Sequence, residues 1–292
     1  MRVTESSINS TYLYNRQQVL KRETKIQTEL ATNSKIQTLS DDVTGSLESI
    51  KINSQLKKTD VYVQNGVNAK QFMNSSLQSL DNMTVEIQKM MTTCVSAENP
   101  INVQNFGTMA QSIKDSLSAI VQNMTAKQND MPLFGGTNFK DVPVTIDVNG
   151  KAVLSAADFS GEMKTQISQD VKQTFNIPGS KILNTGVFES INNIIDSLNA
   201  GIPPTKAQQT DLENAYHEML NLQSLGGQSI NRMDDLNQML TNHKSNLQDM
   251  LSNKQGIDVA ALSVELQNQD YILQVTNKLL ANNYPKSLFD YL

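Results

Sequence analysis

The stretch MDDLNQMLTNHKSNLQDM, residues 233–250, spaces its apolar side chains three and four apart: Met233, Leu236, Leu240, Leu247 and Met250, with His243 in the remaining place. That spacing sets one stripe along an α-helix, a heptad seam that needs a partner helix to cover it. The seam restarts beyond Gly256 with Val259, Leu262, Leu266, Leu273 and Leu280. A stripe this narrow cannot stabilise a lone helix, so the rest of the chain, or another molecule, must supply the partner.

Partner helices are legible toward the N-terminus. Residues 1–99 contain no Pro, and Ile8, Tyr12, Val19 and Ile26 fall on one side of a polar-rich helix. The segment from Thr32 to Thr44 is rich in Asn, Ser, Thr and Asp and reads as a break, with Ser40, Asp41 or Asp42 placed to cap the next helix. A second heptad then runs through Ile52, Leu56, Val63, Met73, Leu77, Leu80, Ile87 and Met91. Gly66 falls in that seam and is expected to weaken it. A helix of about 45 residues would span roughly 65–70 Å, and Asn99-Pro100 ends it. Phe106, Ile113, Leu117, Ile120 and Met124 lie on one face of a further helix.

The texture changes at Met131. Gly135-Gly136 punctuates, Val142, Val144, Ile146 and Val148 alternate with period two, and Asn149-Gly150 predicts a type I′ hairpin turn before Ala152 and Leu154. Residues 138–182 therefore read as a small β-rich insertion. A short helix from Phe188 to Leu198 comes next, then Gly201-Ile202-Pro203-Pro204, and no Pro appears again until Pro285. The expected fold is mainly α with a small β-rich insertion, the long N- and C-terminal helices packing together as a rod or coiled coil.

The bulk composition agrees. Aromatic residues are 5% of the 292, with no Trp, 7 Pro and 13 Gly, which suits long helices with narrow apolar stripes. The net charge of -5 argues against a nucleic-acid partner, which usually meets a basic stripe. The ends differ in sign. Arg2, Arg16, Lys21, Arg22, Lys25 and Lys35 outnumber Glu5, Glu23 and Glu29, whereas Lys278 and Lys286 are outnumbered by Asp258, Glu265, Asp270 and Asp290. Side by side, the two ends attract modestly and in a salt-dependent way. No run of 18 apolar residues predicts a membrane span, and residues 1–12 hold no apolar run of the secretory type.

Chemistry is not indicated. No glycine-rich phosphate loop of standard spacing occurs. His217, His243 and the lone Cys94 do not make a usual zinc ligand set. Asp41-Asp42 and Asp234-Asp235 are adjacent in sequence, and neighbours in a helix point apart, so neither forms a catalytic dyad. The expectation is no enzyme, no cofactor, no metal and no catalytic residue. Cys94 cannot form an intrachain disulfide and is read as a small core residue.

Five segments together resemble one family. They are Met1-Arg2-Val3-Thr4; Ala31-Thr32-Asn33-Ser34-Lys35-Ile36 followed by Ser40-Asp41-Asp42; Leu133-Phe134-Gly135-Gly136-Thr137; Ser224-Leu225-Gly226-Gly227-Gln228-Ser229-Ile230-Asn231-Arg232; and Ser287-Leu288-Phe289-Asp290-Tyr291-Leu292. In order and position they resemble the flagellin superfamily of bacterial axial proteins, and within it the hook–filament junction proteins of the hook-associated protein 3 type. The resemblance covers nearly the whole chain outside 138–182. Asn33 stands where the family prefers Gly, and Leu39 and Val43 stand where it has Pro; Asn tolerates a left-handed backbone, which preserves the turn.

The resemblance implies a D0–D1–D2 architecture: 1–45 with 257–292 as the terminal D0 coiled coil, 46–137 with 183–256 as the D1 helical rod, and 138–182 as the exposed D2 domain. It implies an extracellular place at the hook–filament junction, reached by flagellar type III export without a cleaved signal peptide. The implied partners are further copies of the chain in a ring or helical layer, hook-associated protein 1 on the hook side, flagellin on the filament side and a flagellar export chaperone, with no nucleic acid and no membrane. The implied assembly interface comprises Ile8, Tyr12, Val19, Ile26, Leu262, Leu266, Leu273, Leu280, Leu288 and Leu292. A flagellin filament subunit and, in a different class, a cytosolic coiled-coil interaction module are the competing readings.

Overall fold

A computed structural model of the chain describes residues 5–283, with side chains from 10 to 279. Helices dominate: α1 (Glu5–Thr32), α2 (Val43–Ala97), α3 (Phe106–Met124), α4 (Gly179–Leu183), α5 (Val187–Asn199), α6 (Lys206–Gln255) and α7 (Val259–Asn283). Three two-stranded antiparallel hairpins complete the described residues: β1 (Lys127–Gln128) with β2 (Met131–Pro132), β3 (Val144–Ile146) with β4 (Ala152–Leu154), and β5 (Lys164–Gln166) with β6 (Lys172–Thr174). The chain divides into two compact units, Met1–Lys58 with Lys244–Leu292, and Thr59–His243.

Local chemistry sets the helix ends. Asn33 is left-handed (φ 52°) just past α1, as the asparagine there predicts. Asp42 caps α2, its Oδ1 accepting the Gly45 N–H at 2.9 Å, and Asp258 caps α7 through the Ala261 N–H at 3.0 Å. Asn99 Oδ1 accepts the Ile101 N–H at 3.1 Å and starts a 3₁₀ turn, Pro100–Asn105, that leads into α3.

The core of the Thr59–His243 unit is built where the apolar stripes meet. Leu80, Met83, Ile87 and Met90 of α2 are buried with Phe106, Ile113, Leu117, Ile120 and Met124 of α3, so the predicted face of α3 holds residue for residue. α5 adds Phe188, Ile191 and Ile195, and α6 adds Leu212 and Met219. The stripe on α2 is wider than its heptad, because Phe72, Met83, Met90 and Cys94 are buried too, whereas Leu56, Val63, Leu77 and Met91 are half-buried. Several helices surround α2 here, so a single two-helix seam underestimates the buried face. Val144, Ala152, Met163 and Ile177 from residues 138–182 enter this same core.

The family-like motif Leu133–Thr137 anchors that region. Phe134 is fully buried. A side chain on Gly161 would strike Thr137, and Gly136, at φ 63°, lies against the Gly161 and Phe159 backbone. Asn176 locks the opposite side, accepting the Met163 N–H at 2.8 Å and donating to the Gly161 carbonyl at 3.0 Å.

Three expectations need correction. The β3–β4 loop is not a two-residue type I′ turn at Asn149-Gly150. Asp147 and Lys151 close a three-residue loop in which Gly150 alone is left-handed, at φ 78°, because Asp147 Oδ1 accepts the N–H groups of Asn149 and Lys151 at 2.9 and 2.8 Å. A turn with two left-handed residues sits instead at Asn129 and Asp130, joining β1 to β2. Second, the alternating run 142–148 buries only Val144, since the strand is three residues long and Val142, Ile146 and Val148 face solvent. Third, the seam of residues 233–250 holds at Met233, Leu240 and Leu247, which are buried, but His243 and Met250 are exposed and Leu236 is half-buried. One residue in seven is covered and its neighbour is not, as expected where a helix meets its partner along a single ridge.

α2 runs unbroken through Gly66. A Cβ there would come within 2.2–3.0 Å of the Asn237 amide, so the glycine lets α6 approach closely.

Candidate assembly surface of the terminal helices

In the unit Met1–Lys58 with Lys244–Leu292, α1 packs against α7 in antiparallel sense. The Tyr12 hydroxyl near one end donates to Asn277 Oδ1 at 2.8 Å. Toward the other end, Arg22 Nε and Nη2 donate to Glu265 Oε1 and Oε2 at 2.7 and 2.8 Å. This bidentate pair is the strong form of a charge-assisted contact. It raises the Arg22 pKa and holds the Glu265 carboxyl below the usual carboxylate range, through the hydrogen bond first. Among the described residues, Arg22 and Glu265 are the ion pair that joins the two oppositely charged ends.

The connector between α1 and α2 is organised by Asp41. Its carboxylate accepts from Lys25 Nζ at 2.7 Å and from the N–H groups of Gln37 and Thr38 at 3.1 and 2.8 Å. The Lys25 ammonium, with those amides, holds Asp41 well below the ordinary range. Glu48 of α2 pairs with Lys254 of α6 at 2.6 Å, and the Lys35 N–H donates to the Gln255 carbonyl at 2.8 Å.

The residues expected at the assembly interface differ in burial. Ile26 is fully buried within the chain. Tyr12, Val19, Leu262, Leu266 and Leu273 are half-buried. Leu262, Leu266 and Leu273 share the side of α7 that carries Asn277, bonded to Tyr12 of α1, and Glu265, bonded to Arg22, stands at the border between that side and Ile272. Ile8 and Leu280 lie in helix with only their backbone described, and Leu288 and Leu292 lie outside the described residues.

On the opposite side of α7 a second apolar stripe is exposed: Val264, Tyr271, Ile272, Val275 and Leu279. Their spacing of seven, eight, eleven and fifteen from Val264 places them on one helical face. The sequence contains this signal, but the leucine stripe masks it. On α1, Leu13, Tyr14 and Leu20 are likewise exposed. Contiguous exposed apolar faces of this kind mark interaction surfaces.

Among the described residues, no group of three or more His, Cys, Asp or Glu could hold a metal ion, and no helix is long and apolar enough to cross a membrane. Cys94 is buried among apolar side chains, which pushes its thiol up to about 12; a neutral thiol of this kind is a poor nucleophile.

No family model and no curated protein matches the chain by sequence. Solved structures do match it. A Vibrio parahaemolyticus protein assigned as flagellar hook-associated superposes with a TM-score of 0.67 at 18% identity, covering 74% of this chain and 100% of its own. FlgL of Bacillus cereus gives 0.58 at 14% identity, covering 69% of this chain and 99% of its own. The flagellar junction protein FlgL of Legionella pneumophila gives 0.58 at 11% identity, over 73% and 100%. The mainly helical fold with its small β hairpins is the fold of these flagellar proteins.

Proposed function

We propose that this chain is a structural subunit of the bacterial flagellum, placed at the hook–filament junction, where it adapts the flexible hook to the stiff filament and seats the first flagellin subunits. The observation that carries the reading is the terminal helix pair, whose α7 is apolar on two opposite faces, one lying along α1 and the other open at Val264, Tyr271, Ile272, Val275 and Leu279. A helix with a second apolar face is most stable when another subunit covers it. The likeness to FlgL structures over nearly their whole length supports the same place in the flagellum.

The mechanism is assembly rather than catalysis. The terminal region 1–45 with 257–292 forms the inner layer, 46–137 with 183–256 the helical body and 138–182 the outer part. The seam of Ile8, Tyr12, Val19, Ile26, Leu262, Leu266, Leu273, Leu280, Leu288 and Leu292 organises the inner layer. Surface left open on its half-buried members, together with the outward stripe, is covered by neighbouring copies. Ordering the terminal helices costs conformational entropy that their narrow stripes repay fully only when neighbours add buried area. Folding of the ends is thereby coupled to polymerisation, which keeps the subunit monomeric before export. Hook-associated protein 1 lies on the hook side, flagellin on the filament side, and an export chaperone holds the chain before it leaves through the flagellar channel.

The test is deletion of the gene, with mass spectrometry of the culture supernatant and microscopy of purified hook–basal bodies. Hooks without filaments, and flagellin released into the medium, are expected. Normal filaments in the deletion strain would overturn the reading.

A further inference from the structure

The Thr59–His243 unit holds a cleft of about 290 Å³ between α2 and the hairpins β1–β2 and β5–β6. Its size is close to the lower end of the usual range for ligand sites, about 300–1,000 Å³. Three elements distant in sequence meet there, and each brings a neutral polar side chain: Gln71 from α2, Asn129 from the β1–β2 turn and Thr165 from β5. None of these three side chains makes a hydrogen bond among the described residues. Asn65 and Asn68 of α2 are half engaged. Asn65 Nδ2 donates to the Gln166 carbonyl at 2.8 Å and leaves Oδ1, whereas Asn68 Oδ1 accepts from Gln64 at 3.0 Å and leaves Nδ2. Phe72, Phe175 and Met131 give the cleft an apolar wall. Buried Phe72 meets half-buried Phe175 edge to face, with ring centroids 5.5 Å apart, and so fixes the open part of Phe175 in that wall.

The supports of the polar groups are rigid. Gln71 stands in the interior of α2, Thr165 pairs with Gln173 across β5–β6, and Asn129 is one of the two left-handed residues that close β1–β2. These features define a ligand by its chemistry. No Asp, Glu, Lys, Arg or His lines the cleft, so a charged group placed there would lose water and gain no counter-ion. An added peptide strand meets an obstacle, because Asn65 already occupies the Gln166 carbonyl on β5. A neutral molecule with closely spaced hydroxyls and one apolar face meets none. Carboxamides donate and accept side by side, which matches neighbouring hydroxyls, and the C–H face of a sugar ring matches Phe175 and Met131.

We propose that this cleft binds a neutral saccharide, with one ring lying on Phe175 and its hydroxyls bonded to Gln71, Asn129 and Thr165. The site belongs to the unit that does not carry α1 and α7, and it stands whatever place the chain takes in the flagellum.

The test is saturation-transfer NMR on the purified full chain. The probes are methyl β-glucoside, methyl β-galactoside, methyl α-mannoside and diacetylchitobiose, with methyl glucuronide as the charged control. Transfer to the ring protons of at least one neutral sugar is expected, without comparable transfer to the glucuronide. Gln71→Met and Thr165→Val keep size and element while removing hydrogen-bonding groups, and Asn129→Gly keeps the left-handed backbone. Each removes about one neutral hydrogen bond and should raise the Kd of that sugar about two- to tenfold. Amide protection of β1–β2 and β5–β6 should stay unchanged. Gln122→Met, at an exposed position of α3 outside the cleft, should bind as wild type does. The proposal is overturned if no neutral sugar binds or if the glucuronide binds as well as they do. It is equally overturned if the variants that keep hairpin protection bind like wild type, or if Gln122→Met loses as much as Gln71→Met.

Discussion

Arg22 serves two carboxylates of different burial, and removing it should cost more than removing its better partner. The Glu265 side chain, held at 2.7 Å, is 37% exposed, whereas the Glu29 side chain, 4.0 Å from Arg22 Nη1, is 7% exposed. An exposed ion pair, even a bidentate one, contributes roughly 0.5–1 kcal/mol. Glu265→Gln should lose about that much. Arg22→Met also strips Glu29 of a neighbour and leaves it Lys25 at 4.0 Å, whose ammonium is already engaged by Asp41 at 2.7 Å. A buried carboxylate so deprived adds about 1–3 kcal/mol, giving a total of about 1.5–4 kcal/mol. Hydrogen exchange of α1 and α7 peptides in the assembled protein reads this as local opening. At tenfold per 1.4 kcal/mol, protection should fall about two- to fivefold in Glu265→Gln and about 10- to 700-fold in Arg22→Met. Acid adds a sign. Glu265 is depressed by Arg22, so its contribution is complete above the ordinary carboxylate value of about 4.3 and is lost as the pH falls through the folded value. Glu265→Gln should lack that component of acid loosening. Equal losses from the two substitutions at neutral pH would refute the shared role of Arg22.

Val264→Asp, on the exposed face of α7, should leave the fold within about 0.5 kcal/mol of wild type but abolish incorporation into flagella; normal filaments from this variant would remove the stripe from the interface. Leu273→Asp, on the α1 side, should instead lower the protection of α1 in whatever assembled protein is recovered, measured by hydrogen exchange on sheared material. Asn192 accepts the Ala152 N–H at 2.9 Å and donates to its carbonyl at 2.8 Å, so Asn192→Ala should destabilise the β3–β4 hairpin by about 2–4 kcal/mol, seen first as loss of Ala152 amide protection. The Cys94 thiol should react with an aromatic disulfide reagent only on unfolding, and rapid labelling of the native chain at pH 8 would contradict its burial.

Read alone, the residues determined the helices and most of their faces. Phe106, Ile113, Leu117, Ile120 and Met124 repeat with a helical period and are all buried, because a period on one chain is enough to set a face. The break between Thr32 and Thr44, a cap among Ser40, Asp41 and Asp42, and a left-handed Asn33 arise from short-range backbone chemistry and were equally legible, and the structure selects Asp42 as the cap. The attraction of oppositely charged ends was readable as a sum over residues, but its concentration in Arg22 and Glu265 was not, since it depends on the register of two helices 243 residues apart.

Tertiary structure decided what is covered. Gly66 reads as a weak point in a seam until Asn237 is found against it. His243 and Met250 fit the heptad and still face solvent, whereas Phe72 and Cys94 lie outside it and are buried, because burial depends on how many helices surround a position rather than on its period. The outward stripe of α7 belongs to the same class. Whether a side chain is free is a property of its neighbours in space, and no local pattern carries that information.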